Sequence, residues 1–225
     1  MSRSLERFNV QRPAGRMAAW AHSFFIDHAF FRLAWSNLGT VEPGVLYRSN
    51  HPTPFQLRRA VRALGLKSVI NLRGDGRTGT DALARDEARR IGLVQFDIGL
   101  ESRGAPKAED ILRLVEVFRT MPRPALMHCK SGADRTGLAA GVWVMLHGGA
   151  AKDALAQLTL RHGHINRSNT GILDAFFHQY AVQAEGRIGF FDWLVSEYDP
   201  VALRANFRGA GSLASFVNDR LLRRE

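Results

Sequence analysis

The sequence predicts an α/β fold, a central and mostly parallel sheet of about four to five strands flanked by helices on both faces, with added helices towards both ends. Three observations carry that prediction. Strand-like runs alternate with helical patterns from residue 44 onward, the order that builds a parallel sheet through helical crossovers. The runs at 68–72 and 125–127 are short and β-branched or apolar, as buried strands are. The second of them passes through a tight loop directly into a helical run at 138–146, which puts a loop at a strand's carboxyl end, where such sheets bind ligands.

Residues 1–16 are polar and basic and are expected to be loosely held. Residues 17–35 are apolar and aromatic, but His22, Asp27, His28 and Arg32 interrupt them, which argues against a membrane span. No small-residue cleavage pattern follows them, so they are not read as a signal peptide. On a helical wheel Ser23, Asp27, His28 and Arg32 share one face, leaving a broad Trp/Phe face to pack on the domain. Peripheral contact with a lipid surface is the less favoured use of that face.

Residues 44–47 read as a strand. Thr53 caps a helix with Pro54 at its first position and Gly65 beyond its end. A strand at 68–72, a helix at 81–90 stopping at Gly92, and a strand at 93–98 follow. Ile111, Leu114, Val115 and Phe118 fall on one face of a helix over 107–119. Pro122 and Pro124 then break the chain before the strand that ends at Cys129. Helices are predicted at 137–148, 151–161, 171–185, 190–197 and 212–224.

At 225 residues, with 45% apolar and 23% charged content, the chain suits one soluble domain with a generous core. Its single cysteine excludes an internal disulfide framework and points to a reducing, cytoplasmic setting. The net charge is +10, and only four of the 31 basic residues are lysines. Genome composition or attraction to anionic substrates accounts equally well for that excess. No aromatic-interleaved basic stripe is present, which disfavours a nucleic-acid partner.

The chemistry concentrates at His128-Cys129-Lys130-Ser131-Gly132-Ala133-Asp134-Arg135-Thr136-Gly137. Backbone N–H groups in such a loop and in the first helical turn lack intrahelical partners and can point at an anion. The same partial positive charge, with Arg135 beside it, favours a thiolate at Cys129, and a thiolate facing a bound phosphorus is a phosphatase nucleophile. Arg135 has the planar fork that grips two phosphoryl oxygens. Gly132 and Gly137 let the backbone close around phosphate.

This stretch resembles the His-Cys-x5-Arg-Thr/Ser signature of the cysteine-dependent protein tyrosine phosphatase superfamily. Leu46 to Pro52, Leu66 to Arg73 and Asn169 to Leu173 resemble parts of its compact dual-specificity-type members in bacteria, fungi and plants. The resemblance implies a catalytic domain over 40–185, between an N-terminal extension (1–39) with an aromatic amphipathic helix and a C-terminal helical extension (186–225) packed on the domain. It implies a phosphocysteine intermediate, no cofactor and no metal.

By resemblance, Thr136 bonds the cysteine sulfur and His128 stays behind the loop to orient it. Lys130, Ser131 and Ala133 complete the phosphate loop, and such a lysine accompanies substrates with more than one phosphate. The general acid is open among three carboxylates. Asp97 stands 32 residues before the cysteine at a strand end, Glu101 lies in the loop after it, and Asp134 sits inside the signature as in myotubularin-like phosphoinositide phosphatases. Arg48, Arg73 and Arg103 are candidates for the pocket wall, and His162 and His164 are read as a polar loop. The implied substrate is a phosphoprotein, with an inositol phosphate or phospholipid headgroup as the alternative and a non-catalytic phosphate-binding module behind both. Oligomeric state is not legible.

Overall fold

A computed structural model describes residues 3–27, 35–76 and 78–207. Five strands form one sheet: β1 (Gly39–Glu42), β2 (Leu46–Ser49), β3 (Ser68–Asn71), β4 (Val94–Asp97) and β5 (Ala125–His128). Their order is β1-β2-β5-β3-β4, with β1 antiparallel at one edge and every other pairing parallel. The α/β class stands as predicted. The sequence missed β1, an edge strand too short and too exposed to show a hydrophobic pattern.

The register levels the strand ends. Ser49, His128, Asn71 and Asp97 lie side by side across β2, β5, β3 and β4, so all four strands open onto one rim. Side chains alternate between the sheet's faces. Leu46, Ile70 and Met127 enter the larger core, covered by α5 (Ala108–Thr120), α6 (Asp134–Leu146), α8 (Ile172–Gln183) and α9 (Phe190–Ser196). Val69 and Leu126 enter the smaller core beneath α3 (Pro54–Leu64) and α4 (Gly79–Arg90).

Local signals place several boundaries. Thr53 caps α3 in a reciprocal box with Gln56, and Gly65 closes it in the left-handed conformation at φ 63°. The helix expected over 151–161 is shorter: α7 spans Ala151–Leu155, and a 3₁₀ turn at Leu160–His162 follows. The core extends past residue 185. Phe176, Tyr180, Phe190, Trp193 and Tyr198 pack ring against ring, and the Tyr198 hydroxyl donates to the Pro106 carbonyl at 2.7 Å. The helix expected over 212–224 lies outside the described residues.

The N-terminal expectations need correction. Residues 3–16 are not loose. They include α1 (Arg3–Arg7), bury Phe8 and Val10 against Ala82 and Leu83 of α4, and bring Gln11 and Arg16 onto the buried Asp86. The aromatic stretch enters a helix, α2 (Pro13–Phe25), that closes at Ile26, and residues 28–34 of the 17–35 pattern lie outside the described residues. Ser23 and Asp27, expected on its solvent face, are buried: Ser23 Oγ meets Thr80 Oγ1 at 2.9 Å, and Asp27 turns towards Arg73. Gly79 makes the packing possible, because a Cβ there would stand 2.2 Å from the Ala19 carbonyl oxygen. His28 and Arg32 lie outside the described residues. Among those described, no helix is long and apolar enough to cross a membrane.

Candidate active site

The segment 129–135 leaves β5 on the rim and turns into α6. Strand alternation separates His128, the last residue of β5, from Cys129. His128 points to the α4 side, its ring 4.4 Å from that of His51, whose Nε2 lies 3.0 Å from Asp81 Oδ1. Burial, followed by neighbouring His51, holds His128 well below the usual imidazole range, so it stays neutral behind the loop. Cys129 belongs to the opposite core and is 2% exposed.

The Gly132 N–H donates to Cys129 Sγ at 3.2 Å, curling the loop around the sulfur. Gly132 has φ 78°, and a Cβ on it would come within 2.7 Å of the Ser49 and Asn50 backbone. Only glycine fits there. The Gly137 N–H bonds the Ala133 carbonyl at 2.7 Å and so opens α6. The Ser131 hydroxyl accepts from the Ala133 N–H. Arg135 is half-buried, and its side chain makes no hydrogen bond or ion pair among the described residues, leaving its guanidinium available to a ligand. The expected bond from Thr136 to the sulfur is absent. Its hydroxyl is buried without a partner, and the Gly132 amide serves the sulfur instead.

Arg48 is neither on the pocket wall nor at the surface. It lies beneath the loop, 1% exposed, donating to the carbonyls of Gly132 at 3.0 Å, Ala133 at 3.4 Å and Gln157 at 2.9 Å. Burial pushes its pKa down to about 10, against the opposing pull of negative charge at Cys129. Its position inside a strand-like run, Leu46-Tyr47-Arg48-Ser49, was the available signal. Asn37 clamps the loop from the other side, donating to the carbonyls of Ser131 and His162 at 2.9 Å each.

Arg73 faces Asp27 at 3.4 Å and Asp81 at 3.6 Å, and Lys130 Nζ lies 3.5 Å from Asp27 with half its side chain exposed. Arg103 is exposed in the loop after β4. The three candidate carboxylates differ sharply. Both Asp97 oxygens are occupied: Oδ2 accepts from Arg85 at 2.6 Å, and Oδ1 from Arg85 at 2.9 Å, Asn71 at 3.1 Å and Gln95 at 3.3 Å. Asp134 Oδ1 lies 2.8 Å from His164 Nδ1. Glu101 is exposed and makes no hydrogen bond or ion pair among the described residues.

His164 departs from its reading as a polar loop residue. Its side chain is buried, and Nε2 lies 2.7 Å from Asp174 Oδ2. Burial alone would favour the neutral ring, but the bonds to Asp134 and Asp174 outweigh it and raise the pKa to about 9. Nothing in the spacing pointed to this trio, whose members stand 30 and 10 residues apart.

A family described as a DSP-PTPase phosphatase fused to NAD+ kinase matches residues 45–172. The inositol diphosphatase DSP4 of Arabidopsis thaliana is 31% identical over 110 residues, covering 47% of this chain and 53% of that protein. The chain therefore spans about half the length of that curated relative. The core catalytic domain of the PP-IP phosphatase SIW14 from S. cerevisiae has a similar fold, with TM-score 0.53, 18% identity and coverage of 72% of this chain and 95% of that one. P. aeruginosa TpbA is similar with TM-score 0.51, 21% identity and coverage of 77% and 91%.

Proposed function

We propose, since the chain belongs to the DSP-PTPase phosphatase family by its match over residues 45–172, that it hydrolyses phosphoesters through a phosphocysteine on Cys129. The observation that carries this reading is the geometry around the sulfur: a loop N–H directed at Sγ and the N-terminus of α6 ahead of it, with Arg135 in the first turn of that helix and its side chain unpaired among the described residues. In the first step the thiolate attacks phosphorus, a P–S bond forms and the ester P–O bond breaks. Arg135 holds two of the phosphoryl oxygens through that transfer. Water then attacks phosphorus, the sulfur leaves as thiolate, and inorganic phosphate is released.

The leaving oxygen needs a proton, and we assign its donor as Glu101. Asp97 has no oxygen unoccupied by N–H donors, and Asp134 is bound to His164, whereas Glu101, on the loop after β4, has no side-chain partner among the described residues. Glu101 recovers a proton from the attacking water in the second step. Leaving-group dependence tests the scheme. Glu101→Gln should lower kcat at least about ten-fold on an alkyl phosphate, yet little on p-nitrophenyl phosphate, whose leaving group needs no acid. If Asp97→Asn reproduces that pattern and Glu101→Gln does not, the acid is Asp97. If no phosphoester is turned over, the enzymatic reading fails.

A second substrate reading, an inositol phosphate in place of a phosphoprotein, is favoured by Lys130. Its side chain, half-exposed in the loop with Nζ 3.5 Å from Asp27, can turn to meet a further phosphate on a compact substrate. The Arabidopsis relative, named an inositol diphosphatase, supports the same class. Assayed side by side, inositol polyphosphates should exceed phosphotyrosyl peptides in kcat/KM, and Lys130→Met should narrow the gap. A preference for the peptides that Lys130→Met leaves unchanged would return the assignment to phosphoprotein.

A further inference from the structure

We propose that His164 is a positioning residue of the phosphate site, whose cation, clamped between Asp134 and Asp174, covers the one carboxylate that the phosphate loop itself carries. This inference rests on the phosphatase reading above. Asp134 is the first residue of α6, where a carboxylate is well placed to complement the helix N-terminus. A bound phosphate uses the same N-terminus. Two anions at one helix end repel, so an uncovered Asp134 would oppose the ligand for which the loop is built.

The structure supplies the cover. His164 Nδ1 lies 2.8 Å from Asp134 Oδ1 and Nε2 lies 2.7 Å from Asp174 Oδ2, with the ring shielded from solvent. A neutral imidazole can donate from only one nitrogen, so both contacts to carboxylates require the doubly protonated ring. Asp174 lies in the first turn of α8 and anchors the far side of the ring to an element outside the loop. The trio thereby ties the loop's penultimate residue to the body of the domain. Arg135 follows immediately and makes no ion pair with Asp134 among the described residues, so its fork stays open for the ligand.

The experiment measures affinity for inorganic phosphate by calorimetry on the full chain, independently of turnover. His164→Gln should weaken phosphate binding on the order of ten-fold, the scale of a unit charge acting across the rim. In turnover the loss should appear in KM and not in kcat. Adding Asp134→Asn to His164→Gln should restore affinity to within about three-fold, because the charge that needed cover has gone. A purely structural role predicts a lower Tm without that recovery. Unchanged affinity in His164→Gln, or a double variant that binds no better than the single one, overturns the proposal. Should His164→Gln not fold, Asp134→Asn carries the test: it removes the carboxylate that needs cover and leaves the His164–Asp174 pair, so phosphate should bind at least as tightly, and weaker binding would overturn the proposal. A chain that binds phosphate in this pattern but turns over no ester leaves the inference standing and removes the enzymatic reading instead.

Discussion

Replacing Cys129 with serine should lower kcat on p-nitrophenyl phosphate by at least about 10³-fold, equivalent to about 4 kcal/mol of barrier. A serine hydroxyl offers no thiolate, and among the described residues no base stands in hydrogen-bond contact with the sulfur position to activate it: its neighbour there is the donor N–H of Gly132. The loop itself depends on Gly132, Arg48 and Asn37, so the variant should fold and still bind inorganic phosphate. Acid-quenched native protein should carry phosphate on the peptide containing Cys129, and the variant should not. Full turnover in Cys129→Ser, or an unmodified peptide during turnover by the native chain, would exclude the phosphocysteine route.

The second large effect should come from Arg48, which lies buried beneath the loop. Arg48→Met keeps most of the side-chain volume but removes the donors to the Gly132 and Gln157 carbonyls, leaving two acceptors unpaired inside the protein. Each such loss costs about 1–3 kcal/mol, so a destabilisation of about 3 kcal/mol is expected, or roughly 6–12 °C in Tm for a domain of this size. The Ala133 carbonyl keeps the Gly137 N–H and adds little to that loss. Because the lost bonds floor the phosphate loop, kcat/KM should also fall by at least about ten-fold, measured well below the new Tm. Arg48→Lys keeps the charge but cannot span the same carbonyls, and should lie between the two. A variant with native Tm and native kcat/KM would show that the buried fork is dispensable.

Much of the fold was legible because its signals are local. The capping box at Thr53 and Gln56, the left-handed Gly65 and the apolar face through Ile111, Leu114, Val115 and Phe118 each lie within a few residues of chain. Two failures share one cause. Residues 3–16 look too polar to be held, yet Gln11 and Arg16 are spent on the buried Asp86, some 70 residues away. Ser23 and Asp27 look like a solvent face, yet their partners Thr80 and Arg73 come from α4 and from the loop after β3. A polar side chain is indistinguishable from a solvated one until its partner is known.

The sequence by itself determined the centre of the candidate site. Residues 128–137 are contiguous, and a strand, a glycine-bearing loop and a helix start carry Cys129, the Gly132 amide and Arg135 within seven positions of chain. Only the tertiary structure decided what surrounds that centre. Parallel pairing levelled the strand ends, packing drove Arg48 beneath the loop, and His164 was brought onto Asp134 and Asp174. These contacts join residues 10 to 109 positions apart, and whether a charged side chain is spent or free depends on which neighbour burial leaves within about 3 Å of it.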